Sequence, residues 1–239
     1  MADRRLIVAL DVRSLEEAKK LVETLGETVN FYKVGMELFY RVGSSVLRYL
    51  TAQGKEVFLD LKLHDIPNTV AEGLCSLMEE KVSLLNVHAS GGYMMMKTAA
   101  KRLKEEATRR GISAPRIIAV TVLTSLGEAE WREMGQTEPI AEKVVRLAKL
   151  AQRAGLDGVV ASPQEAAAIR RACGNDFIIV TPGIRPLEAT PDDQSRVASP
   201  AEALRNGATH LVVGRPIRTA DNPRAAAQAI LEEMRGDIA

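Results

Sequence analysis

The segment Phe58–Thr69, FLDLKLHDIPNT, begins as an apolar run and then carries Asp60, Lys62 and Asp65 within six positions. Its first residues are apolar at odd and even positions alike, which is typical of a strand covered on both faces in a parallel sheet. Side chains alternate along a strand, so Phe58, Asp60 and Lys62 share one face. We therefore expect a buried strand that ends in a pair of inward-pointing charges.

Short apolar runs of the same kind recur along the 239 residues and alternate with segments of helical period, as in repeated βα units. The candidate strands are LIVAL at 6–10, FYKV at 31–34, VFLDL at 57–61, LLNVH at 84–88, IIAVTVL at 117–123, GVVAS at 158–162, FIIVTP at 177–182 and HLVVG at 210–214. About eight strands close a parallel barrel. We predict an α/β fold, a (β/α)8 barrel, as a single domain over residues 1–239.

The alternative architecture is an open, doubly wound sheet. That fold would place a glycine-rich phosphate-binding turn after an early strand, and ALDVRSLEE at 9–17 contains no glycine. The barrel is therefore preferred.

Composition excludes several functional classes. Apolar residues make up 46% of the chain and charged residues 26%, and the net charge is only +1, so no overall field attracts nucleic acid or an acidic membrane. Cys75 and Cys173 lack the spacing of a zinc site or a disulfide framework. The apolar run at 6–10 is too short for a signal sequence or a membrane span. We expect a cytoplasmic protein.

Active sites of such barrels lie at the carboxyl ends of the strands, so polar residues there are the candidates. In chain order they are Asp11, Lys33, Asp60, Lys62, His88, Thr124, Ser125, Ser162, Thr181, Gly214 and Arg215. Asp60 and Lys62 alone fit a simple ion pair equally well. Lys33 after the preceding strand and Asp65 just beyond Lys62 favour a functional cluster of alternating charges.

The chemistry that suits such a cluster is proton donation. A lysine between carboxylates keeps its proton, because opposite charge favours the ammonium form. It can then protonate a carbon or stabilise negative charge that develops there, while a fixed carboxylate repels an anionic leaving group. A Schiff-base mechanism needs a neutral amine and is disfavoured.

A phosphate site is expected after the last two strands, where barrels often bind phosphate. Gly214 allows close approach of backbone N–H groups to an anion, and Arg215 offers a guanidinium fork. The segment 182–200 is long for a βα connection and contains four prolines, which fits a loop that closes over a ligand. Arg185 and Gln194 are its candidate contacts, although Arg185 alone also fits a solvated loop residue.

Five motifs together resemble the orotidine 5'-phosphate decarboxylase family of the short bacterial type. They are FLDLKLHDIPNT at 58–69, NVHASGG at 86–92, AVTVLTS at 119–125, TPGIRP at 181–186 and VGRP at 213–216. The resemblance extends over almost the entire chain. The D-x-K-x-x-D pattern at 60–65 is shared by a wider suprafamily, but its combination with HDIPNT and TPGIRP is specific.

The resemblance implies decarboxylation of orotidine 5'-phosphate to uridine 5'-phosphate, the last step of pyrimidine synthesis, with no metal or organic cofactor. Lys62 would protonate C6 of the pyrimidine, and Asp60 would lie beside the substrate carboxylate. Lys33 would contact the ribose and complete the charge network. Asp11 would bind a ribose hydroxyl.

The same resemblance implies a homodimer with shared sites, in which Asp65 and Thr69 reach into the neighbouring subunit's site. Ser125, with Thr124 beside it, would hold the pyrimidine edge. The phosphate ligands would be Arg185, Gln194, Gly214 and Arg215.

Two other functions remain open at this stage. One is a magnesium-dependent sugar-phosphate decarboxylase or aldolase of the same suprafamily. It would need a metal-binding acid near the strand ends, and the TS pair at 124–125 and the GIRP segment at 183–186 would then have no purpose. His64, His88 and His210 also lack metal-ligand spacing. The other is a non-catalytic nucleotide-binding barrel, against which the intact set of Lys33, Asp60, Lys62 and Asp65 argues.

Overall fold

A computed structural model describes residues 3–186 and 198–236. Its eight strands are β1 (Leu6–Ala9), β2 (Phe31–Gly35), β3 (Glu56–Leu63), β4 (Leu84–His88), β5 (Arg116–Val120), β6 (Gly158–Val160), β7 (Ile178–Thr181) and β8 (His210–Val213). All eight strands predicted from the sequence are present.

The helices of the described residues fill the intervals between the strands. They are α1 (Leu15–Leu25), α2 (Met36–Val42), α3 (Ser45–Ala52), α4 (Pro67–Leu77), α5 (Gly92–Arg110), α6 (Glu128–Glu133), α7 (Ile140–Arg153), α8 (Pro163–Cys173), α9 (Pro200–Arg205), α10 (Arg215–Arg218) and α11 (Pro223–Arg235). Within these described ranges, no helix has the length and apolar character needed to cross a bilayer.

The strands form a closed parallel barrel in sequence order, with β1 paired to both β2 and β8. The register at the closure pairs Leu6 with Leu211 and Val8 with Val213. The predicted barrel is confirmed, and the doubly wound alternative is wrong.

Two apolar layers stabilise the barrel. Inward-facing side chains fill its interior, and outward-facing ones pack against the helices in a larger cluster. The interior cluster contains Ile7, Ala9, Phe31, Phe58, Leu84, Ile118, Ile178, Val180 and Val212. Because both faces of every strand are covered, the runs are apolar throughout, as the sequence indicated.

Side-chain caps fix where several helices begin. The Ser14 hydroxyl accepts a hydrogen bond from the Glu17 amide at the start of α1. Ser162, a strand-end candidate from the sequence, is buried and forms a capping box with Glu165 at the start of α8. The position of Ser162 after β6 is therefore explained by its role in starting α8.

Seven of the eight strands end one to three residues away from the predicted carboxyl end, and the irregularities at β5 and β3 border the candidate site. β5 stops at Val120, three residues before the predicted end at Leu123, and the Thr121 hydroxyl donates to the Val160 carbonyl there. In β3 the pairing with β4 shifts register between Leu59 and Leu63.

Two partly buried histidines, His88 and His210, lie at opposite ends of the barrel and make stability depend on pH. Burial is the main cause that lowers the pKa of His88 and of His210. His64 and then Lys62 lower the pKa of His88 further, and Arg116 lowers that of His210. Because the unfolded chain then binds protons more readily, stability is complete above about pH 6.5 and falls as the pH drops through the lowered folded values.

We expect the free energy of unfolding, measured in urea between pH 8 and 5, to fall below pH 6.5 by at most ~1.4 kcal/mol per pH unit for each histidine. The control is the double variant His88→Gln/His210→Gln, which should lose most of this slope. A slope that persists unchanged in the double variant would contradict the assignment.

Candidate active site

Four charged side chains meet at the carboxyl ends of β1, β2 and β3. We call them the charge cluster: Asp11, Lys33, Asp60 and Lys62. Lys62 Nζ lies 2.8 Å from Asp60 Oδ1, and Lys33 Nζ lies 3.5 Å from Asp60 Oδ2 and 3.1 Å from Asp11 Oδ1. The cluster alternates in sign, so each ammonium group has a carboxylate neighbour.

Lys33 and Asp60 keep each other ionised although little of either side chain is exposed. Burial alone would raise the pKa of Asp60, but Lys33 and Lys62 lower it overall. Burial would likewise lower the pKa of Lys33, and Asp60 and Asp11 raise it instead. The site therefore presents fixed charges at neutral pH.

A buried amide on β4 holds the cluster in place. Asn86 is 1% exposed; its Nδ2 donates to Asp60 Oδ1 at 2.6 Å, and its Oδ1 accepts from the Lys62 amide at 2.8 Å. Lys62 has a left-handed backbone with φ of 53°, a conformation that costs about 1–2 kcal/mol for a residue with a Cβ. The Asn86 bond stabilises that conformation and fixes where the Lys62 side chain begins.

Gly35, at the end of β2, leaves space for the cluster. A Cβ at this position would lie 3.0 Å from Lys33 Nζ and 3.4 Å from Asp11 Oδ1. Any larger residue would therefore displace one of the two side chains.

The charge cluster borders a small cavity of about 180 Å³ inside the rim of the barrel. Lys33, Asp60 and Lys62 form its charged wall, and Thr124 lies on its edge. Its apolar wall is formed by Phe58, Val120, Val122, Leu123, Val160, Val180, Pro182 and Val212. This arrangement suits a flat, partly polar ring with one reactive edge toward the ammonium groups.

A second cavity of about 330 Å³ adjoins the first, since Lys33, Pro182 and Val212 line both. Its other walls come from the ends of β1, β7 and β8. They are Ala9, Asp11, Gly183, Arg185, Gly214, Arg215 and Arg218. We call it the arginine cavity, and its three guanidinium groups suit an anion.

Of the residues that the family resemblance assigns to the site, Asp65, Thr69 and Ser125 line neither cavity in the single chain. Asp65 and Thr69 are exposed just beyond β3, and Asp65 Oδ1 accepts from the neighbouring Ile66 amide at 2.6 Å. Ser125 is exposed next to Thr124. Gln194 and most of the long segment after β7 lie outside the described residues.

Sequence reasoning missed Asn86, Gly35 and Arg218. Asn86 could have been found, because alternation along LLNVH places Leu84, Asn86 and His88 on the inner face, at the level of Asp60 on β3. Gly35 and Arg218 carried no comparable signal, since their importance depends on contacts between different strand ends.

Within residues 3–186 and 198–236, no group of three or more His, Cys, Asp and Glu side chains is arranged to hold a metal ion. The two cysteines, Cys75 and Cys173, are unpaired and buried.

The fold and the two cavities define a (β/α)8 barrel with a cavity suited to an anionic small molecule at the carboxyl ends of its strands. The family model described as "Orotidine 5'-phosphate decarboxylase / HUMPS family" matches residues 4–230. The chain belongs to this family.

Named relatives are similar over nearly their whole length. The orotidine 5'-phosphate decarboxylase of Carboxydothermus hydrogenoformans is 53% identical over 97% of this chain and 96% of its own. That of Moorella thermoacetica is 51% identical over 98% and 93%. The crystal structure of the Lactobacillus acidophilus orotidine 5'-phosphate decarboxylase superposes with a TM-score of 0.85 at 44% identity, covering 97% of this chain and 99% of that one.

Proposed function

We propose that this protein decarboxylates orotidine 5'-phosphate to uridine 5'-phosphate and CO2, the last step of UMP synthesis, without a metal or organic cofactor. Membership of the family and the named relatives support the reaction. The observation that carries the mechanism is the position of Lys62, 2.8 Å from Asp60 and on the wall of a cavity that adjoins the arginine cavity.

In this mechanism the pyrimidine occupies the smaller cavity with C6 toward Lys62 and its carboxylate beside Asp60. The bond between C6 and the carboxylate carbon breaks, and its electron pair stays on C6 while CO2 leaves. The Lys62 ammonium donates a proton to C6, and the neutral amine then recovers a proton from water. Lys33, fixed between Asp60 and Asp11, contacts the ribose, and Asp11 binds a ribose hydroxyl.

The phosphate supplies binding energy at a distance from the reacting carbon. Arg185, Gly214 and Arg215 would hold it in the arginine cavity, and Gln194 is a further proposed ligand. Because this contact is remote, its energy can place the substrate carboxylate against the Asp60 charge. Thr124 and Ser125 would hold the pyrimidine edge.

We also propose a homodimer in which Asp65 and Thr69 complete the partner's site. Both residues are exposed in the single chain, and Ile66 between them is 67% exposed. Their exposure leaves Asp65 and Thr69 accessible to a second subunit related by a two-fold axis.

We also propose that the protein is a single domain and that it works in the cytoplasm. The strands of the one closed barrel begin at Leu6 and end at Val213, and the two thiols are unpaired, as in a reducing compartment.

The test is turnover of orotidine 5'-phosphate, followed by loss of its absorbance and by chromatography of uridine 5'-phosphate. We expect multiple turnovers in the presence of a chelator. Cleavage of a sugar phosphate only with added magnesium would support the aldolase or decarboxylase alternative. Binding of the nucleotide without turnover would support a non-catalytic barrel.

The Asn86 contacts predict a defect in the rate of the chemical step. In Asn86→Ala the Asp60 carboxylate and the Lys62 amide lose their shared partner, so both side chains shift. We expect kcat to fall roughly 10–100-fold with a smaller change in KM, because misplacement of reacting groups costs about this much. The free energy of unfolding should fall by about 1–3 kcal/mol.

The matched control is Asn175→Ala, which removes an exposed amide in the loop before β7. It should leave both kcat and stability at wild-type values. An Asn86→Ala protein with normal kcat would show that the cluster does not depend on this amide.

A further inference from the structure

Arg218, at the end of the four-residue helix α10, shares the arginine cavity with Arg185 and Arg215. Arg215 and Arg218 are three positions apart, which places them on the same side of the helix. Sequence motifs pointed to Arg215 only, because VGRP at 213–216 ends before Arg218.

The Arg218 side chain has an unmet hydrogen-bonding group. Its Nε is buried and has no hydrogen-bond partner among residues 3–186 and 198–236. A buried donor without a partner is costly, and a guanidinium donor more so than a neutral one. An anion in the cavity would supply the missing acceptor.

The charged side chains around the arginine cavity are compatible with a bound anion. Lys33 is balanced by Asp11 and Asp60, and Lys62 pairs with Asp60. The guanidinium groups of Arg185, Arg215 and Arg218 all line the cavity wall. A phosphate monoester carries nearly two negative charges at neutral pH, and it can accept from several guanidinium groups at once.

We infer that Arg218 is a third phosphate-binding arginine, which donates through its guanidinium to the substrate phosphate alongside Arg185 and Arg215. This inference rests on the proposed function, because it assigns a further contact in the same site. It concerns affinity for the phosphate group and leaves the chemistry at C6 to the charge cluster.

The experiment measures binding of uridine 5'-phosphate and of uridine by calorimetry. The dissociation constant of uridine divided by that of uridine 5'-phosphate gives the contribution of the phosphate. In Arg218→Gln this ratio should fall by about 10-fold, the effect of losing one charge-assisted hydrogen bond. Arg218→Lys keeps the charge but loses the fork, so we expect a smaller fall.

The control is Arg205→Gln, which removes an exposed arginine on α9 and tests for a general effect of net charge. Its ratio should match that of the wild type. An unchanged ratio in both Arg218 variants, or an equal fall in Arg205→Gln, would overturn the inference. If Arg218→Gln does not fold, Arg218→Lys decides, and a wild-type ratio in that variant overturns the inference.

This outcome is separate from the test of the reaction itself. Turnover of orotidine 5'-phosphate by the wild-type protein tests the proposed function, whereas the binding ratio needs no turnover. A protein that binds uridine 5'-phosphate through Arg218 and fails to decarboxylate would retain the inference and contradict the reaction.

Discussion

Lys62→Ala should reduce turnover of orotidine 5'-phosphate by roughly 10⁴-fold or more, because in the proposed mechanism it removes both the proton donor and a cation next to the developing carbanion. Binding of uridine 5'-phosphate should remain detectable, since the arginine cavity and Asp11 are unchanged. The measurements are single-turnover kinetics and calorimetric titration with uridine 5'-phosphate.

The matched control is Lys104→Ala, an exposed lysine on α5, which should retain full activity. Thermal unfolding of Lys62→Ala should confirm that the barrel is intact. A folded Lys62→Ala protein that keeps near-normal kcat would show that another group protonates C6.

Mixing two inactive variants should restore activity if the sites are shared. A hybrid dimer of Lys62→Ala and Asp65→Ala subunits has one site with both residues native, because Lys62 comes from one subunit and Asp65 from the other. At equal mixing, half of the dimers are hybrids, so about a quarter of all sites are native. We expect about a quarter of wild-type activity after subunit exchange.

The control for this experiment is a mixture of Lys62→Ala and Asp60→Ala. Both residues belong to the same subunit's charge cluster, so no hybrid contains a native site and activity should stay low. If Lys62→Ala and Asp65→Ala hybrids form, as native mass spectrometry would show, and remain inactive, Asp65 does not act across the interface.

The fold could be predicted from the sequence because it depends on a local, repeated signal. Eight apolar runs alternate with helical segments, and each run carries the two-sided pattern of a covered strand. The strand ends were predicted less accurately. The apolar pattern predicted that β5 continues to Leu123, but the strand stops at Val120. Apolar composition alone does not distinguish a strand residue from the wall of a cavity.

The inward direction of Asp60 and Lys62 could also be predicted, because alternation along one strand determines it. The left-handed backbone at Lys62 could not, because it depends on Asn86, 24 residues further along the chain. Pattern reasoning treats strands one at a time, whereas this site is built from contacts between neighbouring strand ends.

For the phosphate site, the sequence predicted Arg185 and Arg215 as ligands, and both line the arginine cavity. Arg218 was missed because its contribution arises from one short turn of helix after β8. The interpretation of Asp65 and Thr69 as partner-site residues stays a prediction, since it requires a second chain.

In the proposed mechanism, fixed charges take the place of a cofactor. The most direct measurement is kcat for orotidine 5'-phosphate after exhaustive removal of metal ions and small molecules, compared with kcat after magnesium is added back. Equal rates in the two preparations are predicted, because Lys33, Asp60 and Lys62 are present in both. Turnover that disappears on metal removal and returns with magnesium would contradict the account.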